Sequence, residues 1–495
     1  MKKTGKKRIL NFVLVTILLL LGLFCVGLLY LFFVPNSTLF GITFISRNNK
    51  ALSETYHYDD VQLVKLSANR FDIEICESPN NDVYVQTLDK SLGYTTVKNK
   101  NMIIKSELVN NIVTYTMTEP TGALFKSSSY IKLFVPNQKI IDVEILNNKS
   151  DTKLEDSHVV VGNLSYTTKS GDIVFEKGRV KNKISLNLDK ADCEFEKEFN
   201  LEDVTLDIKS TSGKVEAKKS SFNNVNILEN KNAVIQINQC NSINQSNPST
   251  GGKIEINKLN TANITAGDTN IIINEVAVGV NIDLKKSGYV KVNSFLDNSN
   301  SETSSIITNN GDIAISNCKS SIIVNTKDGN INISNAYRYC KATSTSGNIT
   351  ISYAEDAQSF DTDGISRSAY IVTTTGKINL TGVEYLPLLE IKQDGSAAVS
   401  FTNVLGENEI IANEGNISIT IDMDAKFNFK STSNAGDVKV NFTQTESFGG
   451  WTDKNIPKEE NKNFVSINNY ADTKNSLTIT STSGNIYVTD TNLAY

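Results

Sequence analysis

One short pattern recurs along most of this 495-residue chain and constrains its fold more than any other feature. It reads KSGDIVF at 169, TSGKVEA at 211, TGGKIEI at 250, KSGYVKV at 286, NNGDIAI at 309 and KDGNINI at 327. It continues as TSGNITI at 345, TTGKINL at 374, QDGSAAV at 393, NEGNISI at 413, NAGDVKV at 434 and TSGNIYV at 482. The glycines are Gly171, Gly213, Gly252, Gly288, Gly311, Gly329, Gly347, Gly376, Gly395, Gly415, Gly436 and Gly484. The second and fourth positions after each glycine are apolar, as in Ile313 and Ile315 or Ile349 and Ile351, and the third is usually polar. A two-residue period means a strand with one buried face. The glycine supplies a positive φ that a Cβ would penalise, so each copy is expected to be a turn feeding a strand.

The spacing of these glycines, counted along the chain, sets the architecture. Gly311 to Gly329 is 18, Gly329 to Gly347 is 18, Gly376 to Gly395 is 19, Gly395 to Gly415 is 20 and Gly415 to Gly436 is 21. The longer steps, 42 from Gly171 to Gly213 and 39 from Gly213 to Gly252, are about two coils each. An antiparallel sandwich would turn about every 8–12 residues and would not repeat one strand register a dozen times. The expected fold is all-β: a parallel β-helix or β-solenoid over 161–495, with coils of about 20 residues, preceded by one transmembrane α-helix. Some fifteen coils at about 4.8 Å would make a rod roughly 70 Å long. The competing reading is several small β-domains that share a turn.

Residues 55–160 lack the glycine motif but alternate strongly, as in VQLVKL at 61, DIEICE at 72, YIKLFVP at 130 and DVEIL at 142. They are expected to cap the first coil, because an open edge invites aggregation. No comparable cap is visible at the other end. The last edge is therefore shielded by the preceding insert or pairs with another molecule, which would allow end-to-end self-association. Two insertions interrupt the repeat, near 357–370 and 444–463. The second holds the chain's one tryptophan, Trp451, beside Phe448. Insertions in solenoids map to loops, often on a binding face, so these aromatics are candidates for a glycan or protein contact; the alternative is that Trp451 folds back over the end of the coils.

From Ile9 to Val34 the sequence runs for 26 residues without a charge, more than the roughly 20 that cross a bilayer. Five cations (Lys2, Lys3, Lys6, Lys7, Arg8) precede it. The positive-inside rule then places 1–8 in the cytoplasm and everything after the 9–34 helix, including a juxtamembrane linker at 35–54, outside the cell. A cleaved signal peptide fits less well, since its apolar core is shorter and ends in small residues, whereas this one ends Phe32-Phe33-Val34-Pro35. Removing five cations from the 49 basic residues leaves 44 against 54 acids, a net charge of −10 outside the membrane. Such an acidic ectodomain has no long-range attraction for nucleic acid.

The order of a membrane segment, the YIKLFVPNQKIIDVEIL pattern at 130–146 and then reiterated SGDI and SGNI turns resembles the bacterial "putative adhesin" family of β-solenoid domains. The resemblance covers about 55–495. It implies a cell-surface solenoid without catalytic residues, some relatives of which are associated with envelope-stress signalling.

Chemistry is otherwise sparse. No short acidic cluster and only three arginines in the repeats (Arg179, Arg338, Arg367) argue against a polysaccharide-cleaving site. Acids follow some motif glycines (Asp172, Asp312, Asp437), but Lys214, Lys253, Lys377 and Tyr289 occupy the same column, which breaks a calcium ladder. His57 and His158 are too far apart in sequence to suggest a histidine site, and no metal or other cofactor is expected. Six cysteines (Cys25, Cys76, Cys193, Cys240, Cys318, Cys340) form no CxxC pair. Cys318 and Cys340, separated by roughly one coil, are either buried thiols or a disulfide between neighbouring coils. Taken together, these features point to a non-enzymatic, membrane-anchored surface protein binding glycan, wall polymer or protein. The alternative is an envelope sensor acting through a membrane partner.

Overall fold

The structure, a computed structural model, describes residues 3–33, 38–39, 42–69, 71–95, 103–118, 125–126, 130–154, 156, 158–196, 200–248, 251–296, 303–355, 367–421, 427–441, 458–461, 463–467 and 474–490. It divides into two compact units, Met1–Lys197 and Glu198–Tyr495.

The first unit opens with an α-helix, Lys3–Phe33. Its described side chains are exposed and largely apolar, Leu19 at 62 % and Phe24 at 65 % among them. Among the described residues no helix is long and apolar enough to cross a membrane. The expected span thus rests on the sequence.

Two ladders of strands follow in this unit. One stacks Tyr130–Val135, Asp72–Glu77, Thr152–Leu154, Ile173–Phe175 and Cys193–Phe195 in parallel. The other stacks Ile112–Thr118, Leu63–Ala68, Ile141–Asn147, Val160–Thr168 and Arg179–Lys190, also in parallel. Alternate residues point inward and are buried, as Ile73, Ile75, Ile131 and Leu133 are. Antiparallel strands close the outer rungs. Asp82–Thr95 lies along Tyr130–Val135, and Ile103–Val109 lies along Ile112–Thr118. Chain order is broken here, because Asp72–Glu77 slots between two strands that come later in the sequence.

In the second unit five long strands, Asn200–Ser212, Lys214–Asn230, Val234–Gln245, Gly251–Ala266 and Asp268–Leu284, pair successively in parallel. Shorter strands then continue in two columns, each pairing with its counterpart one coil later: Ile313–Cys318 with Ile331–Ala336 and then Ile349–Tyr353, and Ile322–Thr326 with Cys340–Ser344. Ile313, Ile331, Ile349 and Ile378 stack in register and are each at most 2 % exposed. Burying each such side chain contributes about 1.5–3 kcal/mol. Both units are therefore β-solenoid, built from parallel coils around aliphatic ladders.

The turn glycines answer to a different constraint from the one expected. Of the twelve, only Gly213, Gly252, Gly288, Gly376 and Gly415 have positive φ. What eleven of the twelve share, Gly213 aside, is lack of space. A Cβ at Gly347 would lie 1.7 Å from the carbonyl oxygen of Gly329, and one at Gly329 would lie 2.1 Å from that of Gly311. In several coils a buried hydroxyl three residues before the glycine accepts the glycine N–H: Thr326 Oγ1 at 3.0 Å from Gly329 N, Ser344 Oγ at 2.9 Å from Gly347 N, and Ser481 Oγ at 2.9 Å from Gly484 N. One residue after it, a side-chain oxygen accepts the N–H of the next coil. Asn330 N donates to Asp312 Oδ1 at 2.7 Å and Asn348 N to Asn330 Oδ1 at 3.1 Å. Asp and Asn in this column are thus backbone acceptors, which explains their presence without a metal.

The C-terminal coils are out of chain order. Ser476–Ser481 and Ile486–Asp490 lie between the coil 407–421 and the coil 428–441, pairing in parallel with both. A Cβ at Gly484 would meet the oxygen of Gly415 at 1.6 Å, and one at Gly436 would meet that of Gly484 at 2.2 Å. Phe464–Ile467 then runs antiparallel along Asn428–Ser433, and Lys458–Asn461 pairs outside it. That last strand is KEEN, and charged side chains on an edge discourage further pairing. The segment expected as a loop at 444–463 therefore contributes an edge strand. The 357–370 insertion is likewise shortened, since Ser368–Thr373 is a strand paired with Cys340–Ser344.

No disulfide joins Cys318 to Cys340; both are buried free thiols. Cys318 stacks on Ala336 whereas Cys340 pairs with Ile322 and Ala369. One coil here is the step from Gly311 to Gly329, which is shorter than the separation of the two cysteines, so they miss the register. Burial pushes the Cys340 thiol up to about 12, so it stays protonated and unreactive.

Candidate functional site

A shallow groove on the outer face of the second unit is lined by Lys218, Gln236, Asn238, Glu255, Asn257 and Asn274, with Ile272 in its floor. Four successive strands build it. Inward alternation buries Ile235, Ile237, Ile254, Ile256, Ile271 and Ile273, so the residues between them must face solvent. Register aligns Gln236 with Glu255 and Glu255 with Ile272.

Along one side runs a column of asparagines. Asn257 Nδ2 donates to Asn238 Oδ1 at 3.2 Å, Asn274 Nδ2 to Asn257 Oδ1 at 3.1 Å and Asn293 Nδ2 to Asn274 Oδ1 at 2.7 Å. Asn335 Nδ2 donates to Asn317 Oδ1 at 3.0 Å two coils further on. A second column has Asn241 donating to Asn223 at 3.2 Å and Asn260 to Asn241 at 3.1 Å. An amide carries two N–H donors and two lone pairs, so one bond up and one bond down leaves each asparagine a donor and an acceptor facing outward. The column is a neutral, rigid and periodic hydrogen-bonding surface.

The groove's charged groups are paired in salt bridges, three lysines against two glutamates. Lys253 Nζ lies 2.5 Å from Glu255 Oε1, and Gln236 also donates to the Glu255 carboxylate. Glu216 is held by Lys214 and by Lys218 at 2.7 Å. These bonds keep both carboxyls below their usual range, first Lys253 then Gln236 for Glu255, and first Lys214 then Lys218 for Glu216. The side-chain oxygen of Gln236 is buried without a hydrogen-bond donor among the described residues. An orphaned acceptor of this kind carries a desolvation cost of about 1–3 kcal/mol and lies out of reach from solvent.

Phe448 and Trp451, the aromatics singled out in the sequence, lie outside the described residues. The asparagine column is not among the residues that the sequence singles out. A signal for it is nevertheless present: Asn257 and Asn293 stand five residues after motif glycines Gly252 and Gly288, one strand position beyond the apolar pair.

Comparison with known proteins bears on fold and family. Residues 241–371, about a quarter of the chain, match the family model Toastrack DUF4097. Among solved structures, a "putative cell adhesion protein" of Clostridium sporogenes is 8 % identical over 90 % of this chain and 100 % of its own, with a TM-score of 0.17. A "putative adhesin" of Bacteroides fragilis is also 8 % identical, over 90 % of this chain and 98 % of its own, with a TM-score of 0.17. At that score neither likeness carries an argument. No curated protein matches the chain. The family match covers the asparagine column from Asn241 onward and the regular coils that follow, where the expected turns and parallel strands stand in register: what residues 241–371 are similar to is the Toastrack domain of the DUF4097 family.

Proposed function

We propose that the chain is a non-enzymatic, membrane-anchored surface protein that holds a neutral polyhydroxyl polymer, a glycan or wall polysaccharide, along its asparagine column. One observation carries this reading: a run of exposed amides, each with hydrogen-bonding capacity to spare. Sugars offer hydroxyls that both donate and accept, and a neutral face imposes no charge penalty on them. The ion pairs around Glu216 and Glu255 set three lysines against two glutamates, so the groove keeps little net charge to attract an anionic polymer. Anchoring rests on the uncharged run Ile9–Val34 behind a basic N-terminus, with the solenoid units outside the cell.

The test is retention of the full-length chain, in lipid nanodiscs, on a panel of immobilised neutral and acidic polysaccharides. Saturable binding to a neutral polymer, weakened about fivefold or more in Asn257→Ala with Asn274→Ala, is the expected result, since two lost hydrogen bonds cost about 1–3 kcal/mol together. Binding that survives this double variant and disappears in Trp451→Ala would move the site to the 444–463 segment. Absence of polysaccharide binding, with recovery of a membrane protein instead, would replace the reading by that of an envelope sensor.

A further inference from the structure

His158, which the sequence leaves isolated, stands in the first unit beside two carboxylates from distant segments. Its Nδ1 is 3.4 Å from Glu77 Oε2 and 3.3 Å from Asp156 Oδ1, and the three potential ligand atoms all lie within 4.8 Å of one another. We propose that Glu77, Asp156 and His158 form a binding site for a divalent transition cation of the zinc type.

The site is built on a rigid sheet. Glu77 ends the strand Asp72–Glu77, flanked on one side by Thr152–Leu154, which leads into Asp156, and on the other by Tyr130–Val135, which leads into Asn137. Each carboxylate is braced from outside its ligand atom. Asn137 Nδ2 donates to Glu77 Oε1, leaving Oε2 toward the imidazole. The backbone N–H of Glu77 donates to Asp156 Oδ2 at 3.1 Å, leaving Oδ1 near the ring and bonded to the His158 N–H at 3.0 Å.

The two histidine–carboxylate separations fit the cation class. With metal–nitrogen and metal–oxygen distances of about 2.0–2.2 Å, ligand atoms of a tetrahedral site stand about 3.3–3.5 Å apart. Calcium would instead require six to eight oxygens, and this cluster offers a nitrogen and two carboxylates. The imidazole is 72 % exposed, which leaves an open side for water or an exogenous ligand. The outward brace from Asn137 is the second-sphere support that such ligands usually carry.

Zinc titration of the full-length chain in detergent, followed by calorimetry with calcium run in parallel, tests the site. The expected result is one zinc ion per chain, no calcium binding, and affinity at least tenfold weaker in both His158→Ala and Glu77→Gln. Asn137→Ala should weaken binding roughly tenfold without touching a ligand. The exposed His158→Ala variant should unfold at the wild-type midpoint without zinc, and zinc should raise only the wild-type midpoint. No zinc binding, or binding that the His158 and Glu77 variants leave unchanged, would overturn the proposal and reduce the cluster to a histidine–carboxylate ion pair.

Discussion

Between Ser304 and Tyr353 of the second unit, chain order and stacking order coincide; between Glu407 and Asp490 they do not. Local chemistry is the same in both regions. Ser344 accepts the Gly347 N–H at 2.9 Å, and Ser481 accepts the Gly484 N–H at 2.9 Å. The glycine in each case lies against the carbonyl of the rung before it, Gly329 in the first and Gly415 in the second. The turn motif therefore specifies how a coil stacks but not on which coil. What differs is the requirement at the end. Among the described residues the last parallel rung in space is 428–441, and its strand Asn428–Ser433 is covered by the antiparallel Phe464–Ile467 and then the charged Lys458–Asn461. With Ser476–Asp490 inserted beneath that rung, a capped and charged edge faces outward where a bare one would pair with another chain.

This comparison makes predictions of graded size. Ile349→Lys, in the middle of the regular coils, should cost at least about 4 kcal/mol in urea unfolding, because a fully buried ladder position cannot hold an unpaired charge. Next, Gly484→Ala should cost about 3 kcal/mol, as overpacking against a backbone oxygen does, and Gly347→Ala should cost as much. A Gly484→Ala variant with wild-type stability would mean that this coil does not sit on Gly415. Ser481→Ala and Ser344→Ala should each lose about 1–3 kcal/mol by orphaning a buried glycine N–H. Equal losses extend the parallel between the two regions, and a negligible loss at Ser481 would break it.

The smallest effect belongs to the first unit, where the acceptor column is made of consecutive aspartates. Asp172 N donates to Asp151 Oδ1 at 3.1 Å, and Asp192 N donates to Asp172 Oδ1 at 2.7 Å. Burial first, then the charges of Asp192 and Asp151, raise the Asp172 carboxyl above its usual value, against the N–H bond that lowers it. A raised folded-state value means that the charged form weighs against folding at neutral pH and that this burden vanishes below the unfolded value near 4. Asp172→Asn keeps the acceptor and should add a few tenths of a kcal/mol at pH 7, a gain absent at pH 3. A stabilisation that grows on acidification would contradict the stated cause.

How much is legible in the sequence follows from the same physics. The apolar pair after each glycine is a local signal, and Ile313 with Ile315 or Ile349 with Ile351 read directly as buried strand faces. The even spacing of Gly311, Gly329 and Gly347 translates into stacking because nothing intervenes between those coils. The buried hydroxyl three residues before the glycine is present in every regular coil, as Thr308, Thr326 and Ser344, yet a lone Ser or Thr among many carries no distinguishing pattern. The glycines are recognisable from sequence, but the expected positive φ holds at five of the twelve, and close approach between coils depends on a neighbour that sequence does not identify. For the same reason the asparagine column and the Glu77, Asp156 and His158 cluster emerge only with the strand register, which brings together side chains far apart along the chain. The order of the terminal coils is hidden because the long step from Gly436 to Gly484 reads as an insertion, not as a return.

The insertion of the last coil is tested most directly by paired cysteines on the solvent face. Thr478 is in register with Glu409 on one side and with Lys430 on the other. Neighbouring strands place Cα atoms about 5 Å apart, within disulfide reach, whereas strands two rungs apart are about 10 Å distant and beyond it. Under mild oxidation, Glu409→Cys with Thr478→Cys should crosslink, as should Lys430→Cys with Thr478→Cys, while Glu409→Cys with Lys430→Cys should stay reduced. Rapid crosslinking of the Glu409 and Lys430 pair, with none to Thr478, would show that the coils follow chain order and would contradict the account.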